Sequence, residues 1–329
     1  MVNKNLFIML LVVNLSLNAA DPVPVNQLPY VVFSDPGTND YMQDRSCAVV
    51  EDGHAFFGVF DGHGSTENGH LVAEFASKNL YANIMKHKMK KGFEHTDAQM
   101  RNEIDKDVIG KNGSTASVAL IKDNKIYIGH VGDSKIVLVK KKGKNVIELT
   151  HDHNTNPEKN DFEFKRIQKL AADNNIDFED VSCFLNNKWF VSNGNNMLSM
   201  SRAFGDKEYS PYIIAEPEAH YREITDEDEF LVLATDGLWD TLIIPSDNET
   251  KQRQLNYVGA FLRSKENWQD GAKALFNYAL ECWATSKNGS DNIEIVVVNL
   301  KLLKEQQAVK DIKELNGLMR NINCSQESK

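Results

Sequence analysis

Five aspartates sit where apolar runs of this 329-residue chain break off. Asp61-Gly62 ends "HAFFGVF", Gly132-Asp133 ends "KIYIGHV", and Asp236-Gly237 follows "EFLVLAT". Asp44 stands just before "RSCAVV", and Asp291-Asn292 just before "IEIVVV". Each pair taken singly also reads as an ordinary turn, because Asp hydrogen-bonds its own backbone and Gly accepts positive φ. Repetition at strand ends points further. Carboxylates crowded at one rim push each other's pKa upward unless cations intervene. Oxygen donors without a cysteine partner suit hard, water-retaining ions such as Mg²⁺ or Mn²⁺; zinc, which prefers nitrogen and sulfur, is the weaker alternative. A neighbouring glycine lets a backbone carbonyl approach such an ion, since no Cβ obstructs it. His151 and His153 in "LTHDHN" share one face of an extended segment. A metal pair is one reading of them; a surface loop or a core hydrogen bond is the preferred one.

The elements that position these residues follow from periodicity. "CAVVED", "HAFFGVF", "STASVALI", "KIYIGHVGD", "KIVLVK", "EFLVLATD" and "IEIVVVNL" are rich in β-branched and aromatic residues and read as strands. Several follow one another across short polar links, which predicts antiparallel meanders. Residues 69–90 and 255–285 carry apolar positions at helical spacing. The fold class expected is α+β, with two packed sheets and helices outside. Residues 153–196 are polar and weakly periodic, and are expected to form a partly ordered flap over one rim. Residues 301–329 are amphipathic through Ile312, Leu315, Leu318 and Ile322, as a packed helix or a tail.

A formal net charge of −10 disfavours a nucleic-acid partner, which needs clustered Lys and Arg. The four cysteines (Cys47, Cys183, Cys282, Cys324) show no paired spacing and are expected to be free thiols. "MVNKNLFIMLLVVNLSLNAADP" has the layout of a signal peptide over residues 1–20 and is too interrupted for a stable membrane span. It places the protein outside the cell or in a secretory organelle. Glycosylation acceptors at Asn112, Asn248 and Asn288, two of them beside expected core or site segments, weigh instead for the cytoplasm.

"FFGVFDGHGS", "NGSTASVALI", "GHVGDSKIVLV", "LTHDHN", "MLSMSRAFGD", "FLVLATDGLWD" and "SDNIEIVVV" together resemble, in order, the protein phosphatase 2C family of metal-dependent serine/threonine phosphatases. The resemblance implies a four-layer αββα sandwich of two antiparallel sheets flanked by helices, here a catalytic domain over residues 21–300. It implies two ions of Mg²⁺ or Mn²⁺: Asp61 bridging both, Asp236 and Asp291 on one, the Gly62 carbonyl on the other, and Asp44 through its water shell. Asp133 with Asp236 would form a weaker third site. His63 is the natural general acid for a poor alkoxide leaving group. The substrates implied are phosphoproteins, and a monomer is expected. Departures from the family pattern are also visible. Asn39 occupies the place of the family's phosphate-binding arginine, so Arg45, Lys135 or a flap lysine would have to supply that charge. Gln43, Lys135 and Glu294 also differ from the usual residues. The rival reading is a pseudophosphatase that keeps the fold as a protein-binding module. Ser65 and Ser114 lack the partners of a nucleophile, and Ser201-Arg202 with Asp206 is expected to form a structural ion pair.

Overall fold

The computed structural model describes residues 28–51, 53–64, 68–142, 145–186, 188–242, 250–286 and 290–307. In chain order the first half carries β1 (Tyr30–Asp35), β2 (Arg45–Glu51), β3 (His54–Phe60) and β4 (Gly62–Gly64). Helices α1 (Gly69–His87), α2 (Met89–Glu103) and α3 (Lys106–Lys111) follow, then β5 (Asn112–Ser114), β6 (Ala116–Lys122), β7 (Lys125–Val131), β8 (Lys135–Lys140) and β9 (Ile147–Glu148). Next come α4 (Asp161–Asp173), α5 (Phe178–Val181), β10 (Ser182–Leu185), β11 (Lys188–Ser192) and β12 (Met197–Leu198). The second half closes with β13 (Phe204–Gly205), β14 (Glu218–Glu223), β15 (Asp228–Ala234), α6 (Asp236–Trp239), α7 (Thr250–Leu262), α8 (Trp268–Ala284) and β16 (Ile293–Asn299).

Two five-stranded antiparallel sheets, ordered β1-β16-β15-β8-β9 and β14-β7-β6-β3-β2, stack face to face. Successive side chains of a strand point to opposite faces, and both faces here are covered. In β3, Ala55, Phe57 and Val59 enter the layer between the sheets, while Phe56 and Phe60 meet α1 and α2 outside. In β15, Leu231 and Leu233 point inward, and Phe230, Val232 and Ala234 join the layer under α7 and α8. That is why these strands read as unbroken apolar runs. The four layers are helix, sheet, sheet, helix.

Three boundaries differ from the expectation. The helix expected over 69–90 stops at His87, because Lys88 turns to φ 69°, and α2 runs back beside α1. The helical stretch expected over 255–285 is two helices, α8 restarting where the Asn267 side chain accepts from the Asp270 amide. Residues 153–196 are more ordered than a partly ordered flap: α4, α5 and the β10-β11-β12 sheet enclose a separate apolar cluster around Ile167, Val181 and Val191. Among the described residues no helix is long and apolar enough to cross a membrane. Cys47, Cys183 and Cys282 are free. Residues 300–307 begin a helix whose Leu300 and Leu303 plug one end of the inter-sheet layer. The signal-like residues 1–20, Cys324 and the amphipathic positions from Ile312 onward lie outside the described residues.

The flap is tied down by a buried carboxylate. Glu163, wholly buried at the start of α4, pairs with Arg202 (2.6 Å) and Arg166 (2.8 Å) and accepts from Ser201 Oγ (2.7 Å). Burial opposes its charge, yet the two guanidinium groups outweigh burial and hold its pKa down at about 2. Arg202 therefore pairs with Glu163, correcting the expected link to Asp206. Glu163→Ala strands two buried cations and is expected to cost about 3–5 kcal/mol. Limited proteolysis should then open residues 161–198 first, and unchanged resistance would contradict the role given to Glu163.

Candidate metal centre

The antiparallel register brings the aspartates to one rim. Arg45 faces Phe60 across β2 and β3, so Asp44 and Asp61, the next residues outward, are neighbours. Ala116 faces Val131 across β6 and β7, which carries the Gly132-Asp133 turn to the same edge. Ala234 faces Ile295 across β15 and β16, placing Asp236 and Asp291 together at the matching edge of the other sheet. Carboxylate oxygens of Asp61, Asp133 and Asp236 all lie within 4.8 Å of one another.

Local hydrogen bonds fix each approach. Thr115 braces Asp61 twice: the Asp61 amide donates to Thr115 Oγ1 (3.0 Å), and the Thr115 amide donates to the Asp61 carbonyl (2.9 Å). Asn292 clasps the loop that leads to Asp44, accepting from the Gln43 amide (2.6 Å) and donating to the Pro36 carbonyl (2.8 Å). Asp236 opens α6 between two indoles, Trp239 Nε1 donating to the Ala234 carbonyl and Trp283 Nε1 to the Gly237 carbonyl. Gly62 begins β4 opposite Ser114, and the Ser114 hydroxyl is turned to the Thr115 carbonyl.

Electrostatics mark the cluster as incomplete by itself. Burial, reinforced by repulsion from neighbouring carboxylates, raises Asp44, Asp61 and Asp236 well above the usual carboxylate range. Burial and then the Asp152 charge lift Asp133 to about 6. Asp291 is the most exposed of the five; burial raises it, and its own contact with the Asn292 amide and the nearby Lys188 ammonium work the other way. Asp44 Oδ2 and Asp133 Oδ1 are buried without any hydrogen-bond partner. An all-oxygen donor set with partnerless buried oxygens fits hard divalent cations. Glu294, buried behind Asp44 and raised by burial to about 7, is a sixth acidic group there.

His63 leaves β4 toward this cluster and meets a partner that sequence reasoning assigned elsewhere. Its Nε2 lies 2.7 Å from Oδ2 of Asp206, which is buried. Burial disfavours the imidazolium, but the Asp206 carboxylate, supported by Asp133, outweighs it and holds the His63 pKa above its ordinary value. The pair lies flat over β5: a Cβ at Gly113 would sit 2.1 Å from Asp206 Oδ2 and 2.6 Å from His63 Nε2. Beside it opens a cavity of about 280 Å³ lined by Gly64, Lys111, Met197, Asp206 and Tyr209.

The candidates for substrate charge are placed less favourably. Asn39 is exposed on the 36–43 loop. Arg45 is committed to the Met42 and Asp44 carbonyls (2.7 and 2.8 Å) and to Glu74. Lys135 is paired with Asp152. Lys188, on flap strand β11, is the lysine whose charge reaches Asp291 and Asp240. Of the "LTHDHN" histidines, His151 is exposed, whereas His153 is buried and its Nδ1 accepts from the Gly132 amide (3.2 Å).

Comparison with known proteins bears directly on this arrangement. The family model described as "Protein phosphatase 2C" matches residues 41–279. The chain belongs to the protein phosphatase 2C family. It is 32% identical over 271 residues to "Probable protein phosphatase 2C 76" of Arabidopsis thaliana, covering 80% of this chain and 56% of that protein. With "Probable protein phosphatase 2C 7" of Oryza sativa subsp. japonica it shares 33% identity over 279 residues, covering 82% of this chain and 63% of that one. The chain thus spans little more than half the length of these phosphatase 2C relatives. A serine-threonine phosphatase 2C from Toxoplasma gondii has the same fold (TM-score 0.61, 23% identity, 82% of this chain and 94% of that one). So has a C. elegans sex determining protein (TM-score 0.66, 22% identity, 84% and 66%).

The raised carboxyls have a measurable consequence. Asp133 at about 6, with Asp44, Asp61 and Asp236 also raised, binds protons more tightly folded than unfolded. The stability they contribute is complete below the ordinary carboxylate range and is lost as pH climbs through about 6. The Tm of metal-free protein is therefore expected to fall between about pH 4 and 6, and Mn²⁺ added at pH 7 should raise it. A metal-free Tm that climbs across that window would contradict the reading.

Proposed function

We propose that the chain hydrolyses phosphoserine and phosphothreonine in protein substrates with two ions of Mg²⁺ or Mn²⁺ and a weaker third. The observation that carries this reading is the convergence of Asp44, Asp61, Asp133, Asp236 and Asp291 on one rim beside a histidine whose pKa a buried aspartate raises. Asp61, Asp236, Asp291 and the Gly62 carbonyl would hold the two ions, Asp44 would act through their water, and Asp133 with Asp236 would hold the third. Bound there, such ions supply charge neutralisation for the phosphoryl group and acidify the attacking water.

The rest of the chemistry belongs to the chain. Thr115 fixes the Asp61 backbone from both sides, so its carboxylate is aimed before any ligand arrives. Asp206 stabilises the His63 imidazolium through Nε2. The proton on the other ring nitrogen, Nδ1, which has no partner among the described residues, passes to the departing serine or threonine oxygen as the P–O bond breaks, a role that contributes about 10²–10⁴-fold in rate. The cavity at Gly64 and Tyr209 gives a residue flanking the phosphoamino acid somewhere to go. Asn39 brings no charge and Arg45 is occupied, so the phosphate's charge falls to the ions and to Lys188. Export is part of the proposal, carried by residues 1–20; the buried Asn112 acceptor, with no room for a glycan, weighs against it. The N-terminal sequence of the mature native protein tests it.

Two measurements test the chemistry. Hydrolysis of a phosphothreonine peptide should require Mn²⁺ or Mg²⁺, stop with EDTA, and fall by at least about 10²-fold in Asp236→Asn; equal inertness of wild type and variant with Mn²⁺ still bound would favour a binding module instead. In Asp206→Asn the His63 pKa loses its support, so the basic limb of the pH–rate profile should move to lower pH. The loss at pH 8 should be larger for the peptide than for p-nitrophenyl phosphate, whose leaving group needs no proton. Equal losses would remove His63 as the acid.

A further inference from the structure

Outside the aspartate cluster, His130, His153 and Glu218 form a second group with metal-like spacing, both imidazole Nε2 atoms lying 3.7 Å from Glu218 Oε2. Two features argue against an ion there. The Gly132 amide donates to His153 Nδ1, so the ring proton sits on Nε2, the atom an ion would need. The rings also stack nearly parallel, 4.4 Å apart at 19°, so their lone pairs cannot converge on one point. What the group does instead follows from where His153 is attached.

We infer that His153 is a positioning residue that fixes the Gly132-Asp133 turn and so sets the affinity of the ion touching Asp133; this rests on the phosphatase reading above. The attachment is threefold. The Gly132 amide donates to His153 Nδ1 (3.2 Å), the His153 amide donates to the Gly132 carbonyl (3.0 Å), and the Ser201 amide donates to the His153 carbonyl (2.8 Å). Gly132 itself sits at φ 96°, and a Cβ there would lie 2.5 Å from the Thr115 side chain, the same residue that braces Asp61. The turn is thereby wedged between Thr115 and the His153 ring. Glu218, directly opposite His130 in the β14–β7 pairing, faces the Nε2 side of both rings. A carboxylate there favours Nε2–H, which keeps Nδ1 a lone pair for Gly132. Without that acceptor the buried Gly132 amide is left unpaired, a cost relieved only by moving the turn that carries Asp133. Partners that orient ligands in this way typically change metal affinity by about 10–100-fold.

Asparagine and glutamine separate this role from simple packing. Asn Oδ1 stands the same number of bonds from Cα as His Nδ1, whereas the Gln amide stands where Nε2 was. Mn²⁺ binding to the full chain, followed by calorimetry and water-proton relaxation, would be compared for wild type, Asp133→Asn, His153→Leu, His153→Asn, His153→Gln and the Asp133→Asn/His153→Leu double variant. The weaker binding step should be lost in Asp133→Asn, weakened about tenfold in His153→Leu and His153→Gln, and kept within about twofold in His153→Asn. In the double variant His153→Leu should add no further loss. Unchanged affinity in His153→Leu, an asparagine variant as poor as glutamine, or additive losses would each overturn the inference; should the leucine variant not fold, the asparagine–glutamine pair decides. A wild type that binds no Mn²⁺ would remove the phosphatase reading itself, a result distinguishable from all of these.

Discussion

Carboxylates confined to a few ångströms in a poorly solvated rim repel one another, and the fold has to supply the work that holds them there. Two sheets covered on both faces can do this, because burial of their strands is large and the rim is a small part of the whole. The register of the β2–β3, β6–β7 and β15–β16 pairs fixes where each chain leaves its sheet to within a residue. A slip by one position would exchange the residues of the inter-sheet layer with those packed under the helices. The acidic cluster is therefore specified by hydrophobic pattern, and its charges are a load on that pattern.

Around the cluster, neutral groups do the aiming. The side chains of Thr115, Asn292, Trp239 and Trp283 all hydrogen-bond to backbone near an aspartate rather than to a carboxylate oxygen. Asp44 Oδ2 and Asp133 Oδ1 in the cluster have no partner within the described residues. His63 is treated in the opposite way. Its partner, the Asp206 carboxylate, bonds the ring itself and raises the imidazole pKa against the burial that works to lower it.

Much of this was legible in the sequence. Strands β3, β7, β8 and β16 follow the apolar runs almost residue for residue, since a strand buried on both faces has few competing readings. The five aspartates were visible because each breaks such a run. Other features depend on contacts far apart in the chain. Asp206 sits 143 positions from His63, and nothing near it in sequence separates a partner for His63 from one for Arg202. Helix α2 was missed because few of its residues are apolar and α1 ends only through an unusual backbone at Lys88. The order of residues 153–196 was missed because its small core uses Ile167, Val181 and Val191, too widely spaced to register as one pattern. β14, an edge strand of its sheet, carries mixed polar and apolar residues and gave no clear run, whereas the Tyr30–Phe33 run of edge strand β1 is a strand signal that went unused.

The flap's apolar cluster shares no buried residue with the three clusters of the sandwich. Energetic effects of replacements in separate clusters combine almost independently. Outward-facing positions on β10–β12 can accordingly be exchanged with little effect on the packing that underlies the aspartate rim.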